Sequence, residues 1–470
     1  MFVFAKRKES RLKEISTTGQ AVGEPYHFDK GKPMLPKVSA LRRKLADKAK
    51  REPKFRFYAL YDRIYRKDVL WSAWRIVQRN DGGAGIDQQT IEELEQYGAD
   101  RLIDEIHEML KSKTYQPQPI KRVYIPKGEG KTRPLGIPTV RDRIIQQACL
   151  LILEPIFEED FLGCSYGYRP GRSAHQALDE IERNLKEGRT AVYDADLKGY
   201  FDSIPHDKLM KAVEYRIADR QVLRLIRMWL TAPIIERDKQ GQTTRKRPDS
   251  GTPQGGVISP LLANLYLHWF DKVFHGAHSP SKFADARLIR FADDFVIMAR
   301  DIDDRMIKWV EEKIEGWMGL SINREKTKVI MAEQHGTTLD FLGYSFRYDR
   351  SLRSKQGRYW NRIPSKQSLK RFRARIHEIT SNDFSPIGVV IIRLNRFMRG
   401  WSNYYGTGYP SRTFKALNHY VNGRIWKFLR HMSQRPFKPP EGMSWYDFIY
   451  KKLKLYQMKP KPKTRVQALR

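Results

Sequence analysis

Apolar positions along this chain change their period twice. From Val38 to Arg51, Leu41, Leu45 and Ala49 recur at helical spacing among lysines and arginines, which predicts a basic amphipathic helix. Tyr58 to Gln78 keeps the period with Leu60, Ile64, Leu70, Trp74 and Val77, then stops at the turn cluster Asn80-Asp81-Gly82-Gly83-Ala84-Gly85. Another helix is predicted from Gln89 to Ser112. The period then drops to two. Arg122 to Ile137 alternates around Lys127-Gly128-Glu129-Gly130-Lys131, the pattern of a hairpin. Helices are predicted again over Asp142–Leu153, Ala174–Glu187, His206–Thr231, Leu261–Phe270 and Asp303–Met318. Short apolar runs at 191–196, 289–298, 321–330 and 339–346 read as strands between them. From Pro364 the period is helical throughout: Leu369–Ile379, Ile387–Tyr405 and Phe414–Met432. Residues 1–37 and 459–470 are polar or basic without periodicity and are expected to be mobile. The pattern is an α+β body followed by an all-α region.

Two strand runs carry acids where a strand interior seldom does. Phe291-Ala292-Asp293-Asp294-Phe295 is apolar, twice acidic, then apolar, so a hairpin should hold Asp293 and Asp294 at its tip. In Val192-Tyr193-Asp194-Ala195-Asp196, alternate residues share a face, and both acids lie on it. Clustered carboxylates repel and need cations. A pair of Mg²⁺ ions, as used in nucleotidyl transfer, meets that need; a solvated Asp-Asp turn gives the same pattern. Likewise the glycine loop flanked by Lys127, Lys131 and Arg133 suits phosphates, and so does an ordinary exposed basic hairpin. Tyr166-Gly167-Tyr168-Arg169-Pro170-Gly171-Arg172 suits stacking and phosphate contact on a single strand, or a surface turn.

Charge narrows the choice of partner. The formal net charge is +34. Residues 1–70 carry 19 Lys/Arg and 8 Asp/Glu, residues 71–350 carry 42 of each, and residues 351–470 carry 27 and 4. Excess confined to the two ends points to a polyanion held across a balanced body. The basic end mixes Trp and Tyr irregularly instead of forming one amphipathic face, which disfavours a membrane surface. No apolar run is long enough for a membrane span or a signal core, so a soluble cytoplasmic protein is expected. Cys149 and Cys164 are too few for a disulfide framework or zinc module, and structural thiols are expected.

Taken together, these stretches resemble the reverse transcriptase–maturase proteins of bacterial group II introns, over roughly residues 60–435. Phe291-Ala292-Asp293-Asp294 is similar to the family's Tyr-Ala-Asp-Asp box, with Phe for Tyr. Asp196-Leu197-Lys198-Gly199-Tyr200-Phe201-Asp202 resembles its first catalytic motif. Thr252-Pro253-Gln254-Gly255-Gly256 with Ser259-Pro260-Leu261-Leu262-Ala263-Asn264 is nearly diagnostic. Arg133-Pro134-Leu135-Gly136-Ile137-Pro138, Lys326-Thr327-Lys328 and Phe341-Leu342-Gly343-Tyr344 follow in order, and Gly400-Trp401-Ser402-Asn403-Tyr404-Tyr405 is similar to the maturase or thumb domain.

The resemblance implies a right-hand polymerase: a basic N-terminal extension (1–57), fingers (58–190), a palm with the catalytic carboxylates (191–355), a helical thumb or maturase domain (356–440) and a basic tail (441–470). It implies Asp196, Asp293, Asp294 and the Leu197 carbonyl as ligands of two Mg²⁺ ions. Lys127 and Arg133, with Lys131, would clamp the triphosphate of a deoxynucleotide. Phe201 would exclude a 2′-hydroxyl, Gln254 would lie near the incoming sugar and template base, and Lys326 would protonate the leaving pyrophosphate. Arg169, Arg172, Arg396, Arg399, Trp401, Tyr404 and Tyr405 would contact RNA. Asp194 and Asp202 are read as structural. The implied partners are structured intron RNA, an RNA template with a DNA primer, and a DNA target, in the bacterial cytoplasm beside the nucleoid. With no paired Cys/His spacing near the end, the endonuclease-less type is expected, dependent on an existing 3′-end. Two roles stay open: a polymerase that also assists splicing, with stand-alone defence or repair relatives as a variant, and an RNA-binding splicing factor whose polymerase is incidental. Intact catalytic acids weigh for the first. The basic end serves either splicing or grip on the primer–template duplex.

Overall fold

Three stretches with one helical period each fold as two helices, and local chemistry explains the breaks. A computed structural model describes residues 33–128, 131–237, 242–351, 357–381, 385–432 and 437–460, with backbone alone at 127, 128 and 131. Tyr58–Gln78 becomes Tyr61–Ile64 and Lys67–Asn80; the second ends at Asp81, whose φ of 45° leaves the right-handed helix. Gln89–Ser112 becomes Ile91–Tyr97 and Ala99–Lys111, broken at Gly98, whose φ of 106° a side-chain-bearing residue rarely adopts. His206–Thr231 becomes His206–Glu214 and Arg220–Leu230. There Asp219 caps the second helix, its Oδ1 accepting from the Gln221 and Val222 amides. Its Oδ2 accepts from the amides of Leu60 and Tyr61, both at 2.8 Å. One buried carboxylate thus serves two helix starts.

The strands are β1 (Ile120–Gly128), β2 (Lys131–Ile137), β3 (Ala191–Ala195), β4 (Ile234–Arg237), β5 (Thr243–Lys246), β6 (Arg287–Phe291), β7 (Asp294–Ala299), β8 (Lys328–Met331), β9 (Leu339–Phe341), β10 (Tyr344–Arg350) and β11 (Arg358–Pro364). They form sheets ordered β2-β1-β4-β5, β6-β7-β3-β8 and β11-β10-β9. The β1–β2 hairpin was expected. The β4–β5 hairpin and β11 were not. The expected strand 321–330 is a strand only over Lys328–Met331; before it, the Asn323 carbonyl accepts from the Lys326 and Thr327 amides and closes a turn.

The chain makes two compact units. The first draws on residues up to Ser173, on Ala195–Val296 and on Asp303–Thr327. Its core includes the helices Val140–Glu158 and Ser259–Phe274, buried along most of their length. The predicted basic helix runs Pro36–Arg51 and is part of this unit: Val38, Leu45 and Ala49 are buried, and Arg42 binds the Leu151 carbonyl and Glu154. Residues 1–32, most of the expected arm, lie outside the described residues.

The second unit draws on Ala174–Asp194, Ile297–Ile302 and the chain from Lys328. Past β11 it is helical: Lys366–Ser381, Ile387–Tyr405 and Ser411–His431. Phe372, Trp401, Tyr405 and Phe414 pack between these helices with ring centroids 4.4–5.9 Å apart. The basic tail is anchored as far as Met458. Asn395 binds the Lys454 carbonyl and the Tyr456 amide, and Asn418 binds both main-chain groups of Met458. Among the described residues no helix is long and apolar enough to cross a membrane. The α+β body and the all-α region after it match the sequence expectation.

Candidate active site

The acidic turn is held from beneath. β6 and β7 bury Ile289, Phe295 and Ile297, and between them Ala292 adopts a φ of 59°. That left-handed conformation costs a non-glycine residue and needs support. Arg290 supplies it: its fully buried guanidinium binds Asp271 through Nε at 2.9 Å and Nη2 at 2.5 Å. Its Nη1 donates to the Asn264 side chain at 3.0 Å and the Ala292 carbonyl at 2.9 Å. Asn264 in turn donates to the Gly167 carbonyl, and Gly167 lies so close to Ala292 that an added Cβ would meet its nitrogen at 2.4 Å. Burial disfavours the Arg290 charge, but Asp271 more than restores it, so its pKa lies above the usual arginine value. Asp293 is left half-buried and Asp294 exposed at the turn.

Asp196 immediately follows β3, the neighbour of β7. Its Oδ2 accepts from Lys326 Nζ and Asn323 Nδ2, each at 3.0 Å. Its backbone is gripped too: its amide donates to Thr327 Oγ1, and its carbonyl accepts from the Asn323 amide. Leu197 bridges to Ile322. Lys326, singled out for pyrophosphate, therefore stands on the carboxylate. Asn323 and Thr327 were missed, because their role comes from a turn that the sequence pattern presented as strand. Asp194 lies 4.0 Å from Lys328.

Residues around Phe201 and Gln254 also converge. The Thr252 amide donates to the Phe201 carbonyl at 2.6 Å, and Gln254 Nε2 donates to Asp202 Oδ2 at 3.1 Å. At Gly251, φ is 85° and an added Cβ would strike the Asp202 backbone at 2.7 Å, so only glycine fits. On the other side the Gly136 amide donates to the Gln254 carbonyl, seating β2 against this loop. Arg133 on β2 is exposed. It acts electrostatically on Tyr168, as do Asp293 and Asp294. Burial and the two carboxylates raise the Tyr168 pKa, and Arg133 opposes them. Tyr168 was not among the expected residues; its aromatic place beside two arginines was the available signal. The side chains of Lys127 and Lys131 lie outside the described residues.

Four residues expected to contact RNA are engaged within the chain, and Arg169, Trp401 and Tyr405 among them are buried. Arg169 is buried, and its guanidinium is taken up by Glu158 and by the carbonyls of Leu162, Ser165 and Phe161. Trp401 packs among Phe372, Tyr405 and Phe414. Tyr404 donates to the Leu342 carbonyl and Tyr405 to Ser368, and Tyr405 is buried. These rings and this guanidinium hold the fold. Arg172, Arg396 and Arg399 are exposed. Cys149 is buried and Cys164 half-buried, and burial pushes both thiol pKa values well up.

Carboxylate and carbonyl oxygens are the donors that hard divalent cations take. Lys326 on Asp196 marks a point where positive charge is already demanded. Among the described residues no three Asp, Glu, His or Cys side chains close into a metal-holding group.

Residues 125–346 match the family model for reverse transcriptase (RNA-dependent DNA polymerase), and residues 369–439 match that for the group II intron maturase-specific domain. The chain is 36% identical to Protein YkfC of Escherichia coli, over 62% of this chain and 84% of that protein. It is 30% identical to the group II intron-encoded protein LtrA of Lactococcus lactis, over 78% of this chain and 72% of that protein. Among solved structures, a Candida albicans telomerase in complex with telomeric RNA matches 74% of this chain and 68% of that one, at 14% identity and a TM-score of 0.39. With acids, loops and helical region in family order, and the two family models and the LtrA match spanning both parts, the chain belongs to the group II intron-encoded reverse transcriptase–maturases.

Proposed function

We propose that this RNA-directed DNA polymerase works with two Mg²⁺ ions held by Asp196, Asp293 and Asp294, with the Leu197 carbonyl assisting. The observation that carries the reading is that Asp196 directly follows β3, the strand beside β7, while Asp293 and Asp294 lie in the turn that opens β7, with a lysine already drawn to Asp196. When bound, the ions supply charge neutralisation for the attacking hydroxyl and the leaving pyrophosphate. The chain's own groups do the rest. Phe201 crowds the 2′ position of the incoming sugar, and Gln254, held by Asp202, borders that sugar and the template base. Arg133, with Lys127 and Lys131, neutralises the triphosphate, and Lys326 hands a proton to the leaving group. The substrates are deoxynucleotides on an RNA template with a DNA primer. The maturase partner is the chain's structured intron RNA, met by Arg172, Arg396 and Arg399, and the cDNA enters a DNA target.

The test separates chemistry from grip. Asp293→Asn should abolish primer extension while affinity for the intron RNA stays within about twofold, since the arginines named for RNA do not touch the turn. Simultaneous loss of both in a folded variant would refute the division of roles.

A further inference from the structure

A cavity of about 970 Å³ opens in the first unit, and none of the proposed catalytic residues lines it. It lies among the helices His206–Glu214 and Ser259–Phe274, the segment at Lys54 and Arg56, and the π-helical turn Glu312–Trp317. Its walls combine two kinds of group. Tyr215, Trp269 and Trp317 are aromatic, and Tyr215 and Trp317 remain 45% and 44% exposed. Exposed rings gathered around one cavity, unlike rings scattered singly, mark a surface that can take a partner. Four cations also line it, Lys54, Arg56, Lys208 and Lys211, against the one acid Glu214.

Two of the four cations, Lys54 and Arg56, come from the basic first seventy residues, and Lys208 and Lys211 come from the balanced middle of the chain. Two of the rings are also held in place. Tyr215 and Trp269 meet edge to face at 5.2 Å, with Lys272 Nζ 4.8 Å from both centroids. Lys208 Nζ donates to the Trp317 carbonyl at 2.6 Å, and Arg56 Nε to the Glu214 carbonyl at 3.0 Å. Preset rings beside cations suit a base laid on a ring with its phosphates on lysines. An acidic peptide would satisfy the cations but leave the flat faces without a matching partner.

We propose that this pocket is a second RNA site, which takes an unpaired stretch of RNA: a base stacks on Trp317 or Tyr215, and its phosphates meet Lys54, Arg56 and Lys211. The proposal rests on the family's handling of RNA and is independent of the carboxylate assignment. The experiment uses the full chain and a short unstructured RNA carrying 5-iodouridine. After irradiation, mapped crosslinks should fall on Tyr215, Trp269 or Trp317. Trp317→Ala should weaken binding of that RNA about fivefold to a hundredfold, the range for one lost base stack. Lys211→Glu, at an exposed position, should weaken it too and reduce its salt dependence. Primer extension on a short oligonucleotide template should persist in both, which separates this site from the polymerase site. Crosslinks confined to other surfaces, or parent-like RNA affinity in both variants, would overturn the proposal.

Discussion

Arg290 shows what one residue contributes beneath a catalytic turn. Its charge is buried completely, and its fork is divided among Asp271, Asn264 and the Ala292 carbonyl. Removing one partner of such a pair costs roughly 3–5 kcal/mol, whereas replacing both by apolar residues is often neutral. Arg290→Met alone should therefore unfold at a markedly lower temperature. Arg290→Met with Asp271→Leu should recover most of that stability but not activity, because nothing then holds the Ala292 carbonyl and its left-handed backbone. Thermal unfolding and single-nucleotide incorporation measure the two effects. A folded double variant incorporating at the parent rate would show that the turn needs no such anchor. Little of this was legible in the sequence. Asp196, Asp293 and Asp294 stand out because acids are rare among apolar strand residues, but Arg290 looks like any strand cation. Arg169, Trp401, Tyr404 and Tyr405 mislead for the converse reason: basic and aromatic residues together suit RNA, and composition does not tell which of them point inward.

At the scale of elements, existence was legible and boundaries were not. Hydrophobic period located nearly every helix, but it runs unbroken across Gly98 and across 215–219, because apolar residues on both sides face the same core. The β4–β5 hairpin escaped because its strands are short and half-exposed or exposed, so no alternation marks them. Asp219 is the clearest case of a long-range feature settling a local break, since its Oδ2 serves helix-start amides of Leu60 and Tyr61 far away in sequence. Asp219→Ala should cost about 3 kcal/mol, as four amides lose an acceptor in a buried place. Asp219→Asn keeps one carbonyl oxygen and should cost roughly half as much. Chemical denaturation of both variants checks the order. Equal midpoints for Asp219→Ala and the parent would mean that other groups satisfy those amides.

For the whole molecule, charge distribution was the most legible property, and it sets how the protein should respond to salt. The excess of 27 Lys/Arg over 4 Asp/Glu lies in residues 351–470, yet the basic helix Ile387–Tyr405 buries Trp401 and Tyr405. Only one face of that helix is therefore open: Ile392, Arg393, Arg396, Arg399 and Asn403 are exposed at three- and four-residue spacing. Affinity for intron RNA should fall steeply with salt, because every neutralised phosphate releases counterion. Cutting the chain near Arg350 is a poor test, since β10 would lose β11, which pairs with it from Tyr344 to Arg350. Substituting the exposed face is cleaner. Arg396→Gln with Arg399→Gln removes two charges without touching the core, and should flatten the slope of log affinity against log salt by about 1–2. Binding titrations at several salt concentrations read this directly. A parent-like slope in the double variant would move the phosphate grip off this face, and the remaining cations of the helical unit would then be the ones to substitute.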